Sequence, residues 1–387
     1  MQFRNLQRQY QVLKSQIDAG VSDVLASARF ISGPQVKELE KALAEYVGVK
    51  HCITCANGTD ALSIALRAWG VGKGDAVFVP DFTFFSTGEC PADEGAAPVF
   101  VDVDPHTYNM DPVKLEQAVK RTIAEGKYRA RAVIAVDLFG LPADYGAIQA
   151  ICKKYGLLLL EDAAQGFGGS IGGKRACSFG DIAATSFFPA KPLGCFGDGG
   201  AIFTDNDDWA DMIRSICVHG KDIGKPNDPN AKYNNVRIGK NSRLDTLQAA
   251  ILLPKLEAFQ SYELDQINTA ASWYSEALKD TGLTLPMVPH GYYSSWAQYT
   301  IRLPENADRP KIQGELKKKD IPTMVYYAKP MHLQKAFSGT DSAAADCPVT
   351  SEICNTVLSL PLDPYISKED VGYVAENIKT LLCQEEI

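Results

Sequence analysis

Two segments, EDAAQGFGG (residues 161–169) and SFFPAKPLGCFGDGGAIFT (186–204), decide how this chain folds. The first follows the apolar run LLLL, which puts Asp162 at the C-terminal edge of a predicted strand, and the second runs from one β-rich stretch (IAATSFF) through a glycine-rich turn into another (AIFT). Outward from them lie HCITCA (51–56), AVFVP (76–80), PVFVDV (98–103) and ARAVIAVDL (130–138), making seven strand-like runs. Helix-like pieces such as ALSIALRAW, PVKLEQAVKRTI and YGAIQAICKKYG alternate with them. That rhythm predicts an α/β fold, a mostly parallel sheet with helices on both faces, and functional groups where strands end and helices begin.

The flanks differ. Leu13, Ile17, Val21 and Leu25, then Leu39, Leu43 and Tyr46 after Gly33 and Pro34, recur at helical spacing, so two helices open the chain. GKPNDPNAKYNN (224–235) is rich in turn formers and reads as an exposed loop. From about Lys255 a long helix is expected, then QYTIRL as a strand, KIQGELKKKD as a helix, IPTMVYY as a strand and a last helix after Ser367. At 387 residues the chain exceeds what one core usually organises. A large domain over 1–254, its N-terminal helices (1–30) packing toward the small domain, and that smaller α+β domain over 255–387 are therefore expected.

The chain carries 39 Lys and Arg against 47 Asp and Glu, a formal charge of −8, which argues against nucleic-acid or anionic-membrane partners. The first residues lack the apolar core of a signal peptide, and no apolar run approaches the about 20 residues that span a bilayer, so a cytoplasmic protein is expected. Ten cysteines sit mostly singly in apolar segments. Cys52 and Cys55, three apart on a strand, face opposite sides and cannot share a metal, so none is expected.

Three local settings carry chemistry. Asp162 at a strand end is placed to meet a protonated ring nitrogen, as in pyridoxal phosphate; capping of the next helix is an equal alternative. Lys191, among SFFPA and PLGCFGDGG, has apolar, aromatic and glycine neighbours, and desolvation would make it a neutral nucleophile. Pro192 favours an extended Lys191, and Gly194, Gly197, Gly199 and Gly200 leave room for a planar ring. Gly58 and Thr59 open a helix after a strand, an arrangement that cups a phosphate, to which Ser186 can add a hydroxyl.

Together with RFISGPQVKELE, PDFTFFST, DVDPHTYNMD, DLFGLPADY and VRIGKNSRLDTLQAAILLPKLE, these segments resemble the DegT/DnrJ/EryC1/StrS sugar aminotransferases over nearly the whole chain. The resemblance implies the fold-type I architecture, with a seven-stranded sheet in the large domain, and pyridoxal 5'-phosphate as cofactor. It makes Lys191 the lysine that carries the cofactor as a Schiff base, Asp162 the partner of the ring nitrogen, Gln165 that of the ring hydroxyl, and Phe84 an aromatic against the ring. Gly58, Thr59 and Ser186 hold the phosphate. It further implies a homodimer with shared sites, Asn241 reaching the partner's phosphate and Arg243 its substrate; helix capping and a surface ion pair are the plain alternatives for these two. Tyr327, His332 and His219 match positions near the substrate. FFPAKPLGCFGDGG and NSRLDTLQAAILLPKLE are most similar to enzymes that aminate UDP-linked 3-keto sugars, including the 2-acetamido-3-keto-glucuronate type, with glutamate as donor, for polysaccharide or other glycan precursors. Amination of NDP-4-keto-6-deoxy sugars, sugar dehydration (related dehydratases have His at the lysine position) and a DegT-type regulatory role are the rival readings.

Overall fold

The computed structural model describes residues 1–223 and 234–385. Of the polar loop expected at 224–235, residues 224–233 lie outside the described residues. All seven strand-like runs are strands of one sheet: β1 (His51–Cys55), β2 (Asp75–Pro80), β3 (Ala97–Val101), β4 (Arg129–Val136), β5 (Leu158–Asp162), and, after a small hairpin formed by β6 (Ser170–Ile171) and β7 (Lys174–Arg175), β8 (Ile182–Ser186) and β9 (Gly200–Thr204). Their order is β1-β9-β8-β5-β4-β2-β3, and only β9 runs antiparallel to its neighbours. The other six therefore end on one edge.

Between the strands lie α3 (Gly58–Ala68), α4 (Phe85–Asp93), α5 (Pro112–Glu125), α6 (Tyr145–Tyr155) and, after β9, α7 (Asp207–Cys217), preceded in the chain by α1 (Leu6–Ser27) and α2 (Pro34–Val47). Because side chains alternate across a strand, each strand feeds two cores. Ile53, Cys55, Val77, Val79 and Ile134 pack on one face with residues of α3 and α7, while Cys52, Phe78, Val133 and Phe203 pack in the cores of the other. Cys52 and Cys55 thus lie on opposite faces, and burial raises both thiols well above the ordinary range. In α1 the buried stripe is Gln9, Leu13, Ile17 and Val24, and Leu25 is 57 % exposed. The expected four-residue spacing overshoots because 3.6 residues per turn carry the face back by one position.

Beyond the sheet, α8 (Thr246–Ala258) continues through a π-turn at Phe259–Glu263 into α9 (Leu264–Leu278), so the helix runs unbroken across residue 254. A separate apolar cluster joins α9 to β11 (Tyr299–Arg302), α10 (Arg309–Lys318) and α12 (Lys368–Glu385); the short β10 (Tyr292–Tyr293) instead extends the β6–β7 hairpin. IPTMVYY is not a strand. Only Met324 forms a bridge, to Ser359, and β11 pairs instead with β12 (Val357–Leu360), which follows α11 (Pro348–Thr356). Pro322 supplies no amide donor, and the rings of Tyr326 and Tyr327 pack beside Phe82 and Phe139 rather than joining a ladder. No helix among the described residues is long and apolar enough to cross a membrane.

One turn couples the sheet to this C-terminal portion. Gly140, at φ +103°, accepts a hydrogen bond from the Ser295 amide at 2.9 Å, and a Cβ there would stand 2.4 Å from the Trp296 nitrogen. Gly140→Ala should lower unfolding stability by at least ~1–3 kcal/mol from the backbone conformation alone, measured by denaturant titration against wild type.

Candidate active site

The loops leaving β1, β2, β5 and β8 meet at the shared strand edge. After β1, the Asn57 side chain accepts from the Asp60 amide at 2.8 Å and starts α3, leaving the first amides of that helix without intrahelical acceptors. A Cβ on Gly58 would lie 2.7 Å from the Ser186 Cβ, so only glycine lets the helix start close on β8. Thr59 Oγ1 lies 2.7 Å from Ser86 Oγ at the start of α4. Three hydroxyls and a helix N-terminus thus form a concave cradle suited to a phosphate.

At the end of β5, Asp162 is 5 % exposed. Its Oδ2 accepts from Thr87 Oγ1 at 2.9 Å and its Oδ1 from the Ala164 amide at 3.2 Å. Burial raises its pKa; these hydrogen bonds and the charge of Lys191 oppose the rise. Lys191 closes a turn, its amide donating to the Phe188 carbonyl at 2.8 Å. Burial lowers the Lys191 pKa, the attraction of Asp162 opposes this, and the Arg4 guanidinium, whose Nη2 reaches the Pro192 carbonyl at 3.4 Å, lowers it further. Its amine has no hydrogen-bond partner among the described residues. A buried acid, a neutralisable amine and a phosphate cradle on one edge fit the parts of pyridoxal phosphate.

The remaining expected residues form two further groups. Gln165 accepts from the Phe139 amide and donates to the Tyr327 hydroxyl, both at 3.0 Å, and the Tyr327 ring lies 6.4 Å from that of Phe84, which is 52 % exposed. Burial raises the Tyr327 hydroxyl. Asn241 and Arg243 contact each other and no other expected site residue of this chain. The N-cap of α8 is Asp245 rather than either of them, and Arg243 makes no ion pair among the described residues. His219 is exposed, whereas His332 is buried against Asp81.

Of the glycines after Lys191, Gly194, Gly199 and Gly200 do not keep an open slot, whereas a Cβ on Gly197 would meet only the Gln248 side chain, at 3.3 Å. A Cβ on Gly194 would stand 2.4 Å from the Pro189 carbonyl, on Gly199 2.8 Å from Leu244 and on Gly200 2.6 Å from the Asn57 backbone. Their missing side chains let the segment fold onto the protein itself. Sequence reasoning also missed Thr87 and Ser86, although both stand in the PDFTFFST segment that supplied Phe84; the turn ahead of α4 brings the Thr83 hydroxyl to 3.0 Å from that of Thr87. Nor did it find Glu161, fully buried behind Asp162, which accepts the Phe179 and Gly180 amides at 2.7 and 3.1 Å and which burial raises to about 7.

An α/β scaffold with an acid, an amine and a phosphate cradle at its strand ends is that of a fold-type I aminotransferase. The chain belongs to the DegT/DnrJ/EryC1/StrS aminotransferase family, whose model matches residues 11–379. It is 46 % identical to the UDP-2-acetamido-2-deoxy-3-oxo-D-glucuronate aminotransferase of Pseudomonas aeruginosa, covering 97 % of this chain and 98 % of that one. It is 39 % identical to the UDP-N-acetyl-3-dehydro-alpha-D-glucosamine 3-aminotransferase of Acidithiobacillus ferrooxidans, over 98 % and 97 %. Among solved structures, a family aminotransferase from Brucella abortus superposes with a TM-score of 0.93 at 46 % identity, over 98 % and 99 % of the two chains. The Bacillus subtilis protein NtdA, with its cofactor PMP bound, gives 0.85 at 30 % identity, over 96 % and 82 %.

Removing the Thr87 donor should make the ionised form of Asp162 costlier. Thr87→Val is expected to destabilise the cofactor-free protein by about 1–3 kcal/mol at pH 7. Because burial already holds the Asp162 pKa above its unfolded value, the loss should shrink as pH falls through the folded-state pKa, where the group is neutral in both proteins. Denaturant titrations across that range read this directly.

Proposed function

We propose that this pyridoxal-phosphate-dependent nucleotide-sugar aminotransferase moves the amino group of glutamate to carbon 3 of a UDP-linked 2-acetamido-3-keto sugar, in the cytoplasm and as a homodimer. The observation that carries the site assignment is Lys191, whose amine has no hydrogen-bond partner among the described residues and lies within the field of Asp162, its pKa lowered by burial. Bound pyridoxal phosphate supplies an electron-accepting ring that takes up the electron pair released when the C–H bond at the amino-bearing carbon breaks. Asp162 holds a proton on the ring nitrogen. Gly58, Thr59 and Ser186 orient the phosphate, joined by Asn241 of the second subunit. Lys191 would hold the cofactor and, as a free amine, would move the proton at the reacting carbon in both half-reactions. Gln165 meets the ring hydroxyl and Phe84 covers the ring. Tyr327, His332 and the second subunit's copy of Arg243 contact the substrate.

The two relatives share a UDP-linked 3-keto substrate and differ at carbon 6, so their likeness supports the keto position ahead of the substituent. Incubating the cofactor-loaded enzyme with a panel of UDP- and dTDP-linked amino sugars runs the second half-reaction backwards. The UDP-linked 2-acetamido-3-amino sugars should bleach the visible absorption of the bound cofactor; bleaching only by 4-amino-6-deoxy sugars would refute the assignment. Lys191→Ala should abolish both that absorption and turnover. Co-expressing Lys191→Ala with Asn241→Ala tests the shared site: each mixed dimer retains one complete site, so random pairing should restore about a quarter of wild-type activity.

A further inference from the structure

The loop between β2 and Phe84 holds a carboxylate that the mechanism above does not use. Asp81 is 0 % exposed. Its Oδ1 accepts the His332 amide at 2.8 Å, its Oδ2 lies 2.6 Å from His332 Nδ1, and its carbonyl accepts the Met331 amide at 3.0 Å. Three contacts thus fasten residues 331–332 to the loop that carries Phe84. Two bare lone pairs do not approach to 2.6 Å, so a proton lies between Oδ2 and Nδ1, and the imidazole is fixed in one orientation. Nε2, on the other side of the ring, has no hydrogen-bond partner among the described residues.

The Cys347 thiol lies close enough to make a three-donor cluster with Asp81 and His332. A metal reading fails on distance. Two ligands with bonds of about 2.0–2.1 Å in a tetrahedral shell stand roughly 3.3 Å apart, beyond the 2.6 Å seen here. Burial also raises the Cys347 thiol, keeping it protonated. The cluster is a hydrogen-bonded acid–imidazole pair.

Neither member hydrogen-bonds to Lys191, Asp162, Thr59 or Ser186, the groups assigned to the cofactor. His332 lies five residues beyond Tyr327, whose hydroxyl meets Gln165. A short amino acid needs little beyond the reacting carbon, whereas a nucleotide sugar extends well past it. We propose that Asp81 is a positioning residue for the nucleotide-sugar half-reaction, holding His332 so that Nε2 hydrogen-bonds to the sugar nucleotide. This rests on the function proposed above.

The test separates the half-reactions in the holoenzyme, using glutamate and whichever nucleotide sugar the wild type accepts. Asp81→Asn should lower kcat/KM for the nucleotide sugar about 10- to 100-fold, mainly through KM. The rate at which glutamate converts the cofactor should stay within about twofold. His332→Asn keeps an amide donor for Asp81 but lacks Nε2, and should show the same split at an unchanged melting temperature. Adding Asp81→Asn to it should cost less than about a further twofold. Equal slowing of both half-reactions by Asp81→Asn, full additivity of the two substitutions, or an unaltered sugar KM in folded His332→Asn would each overturn the proposal; the last decides even if Asp81→Asn does not fold. A wild type that accepts no nucleotide sugar would remove the proposed function and this inference with it, whereas one that accepts a sugar but shows no split removes only the role of Asp81.

Discussion

Keeping a carboxylate ionised at 5 % exposure costs several kcal/mol unless donors and a cation stand around it, and Asp162 meets that cost from three directions. Thr87 reaches it from α4, the Ala164 amide from its own turn, and Lys191 from the loop after β8. Each of these elements must therefore close on the end of β5. The attraction is mutual: Asp162 limits how far burial depresses Lys191, while Arg4 pushes the other way. Burial outweighs both charges, so the net shift of the lysine is downward, toward the neutral amine.

The sheet makes this convergence possible. Six strands of one direction deliver six C-terminal ends to one edge, and α3 starts there, its Asn57 cap taking the Asp60 amide and leaving the Gly58 and Thr59 amides without intrahelical acceptors. Close packing then decides which residues fit: Gly58 admits Ser186, Gly200 admits the Asn57 backbone, and Gly199 admits Leu244. The N-terminal segment adds a further tie. Arg4 touches the Lys191 loop at Pro192, while Gln9 donates to buried Glu263 at 2.9 Å, so a stretch outside the sheet bears on the lysine as well as on α8 and α9.

Much of this was legible in the residue order. Alternating strand and helix patterns gave the seven strands and their covering helices because burial on both faces imposes apolar runs. Asp162, Gly58 and Thr59 were visible because a strand end or helix start is a local event. Thr87, Asp81 and Glu161 were not, since a threonine, an aspartate and a glutamate look alike whether solvated or buried. IPTMVYY misled for a related reason: β-forming residues also suit an aromatic cluster, and only the neighbouring Phe82 and Phe139 show which was chosen.

The sequence by itself determined the α/β class, the family, and the candidacy of Lys191, through short-range patterns of burial and turn chemistry. Tertiary structure alone decided that β9 turns back against its neighbours, that VLSL rather than IPTMVYY pairs with β11, and that Gly194, Gly199 and Gly200 seal the chain rather than open it. It also joined Asp81 to His332 across 251 residues. Such pairings depend on distances between segments remote in the chain, and a hydrogen bond or a steric limit exists only once those segments have met.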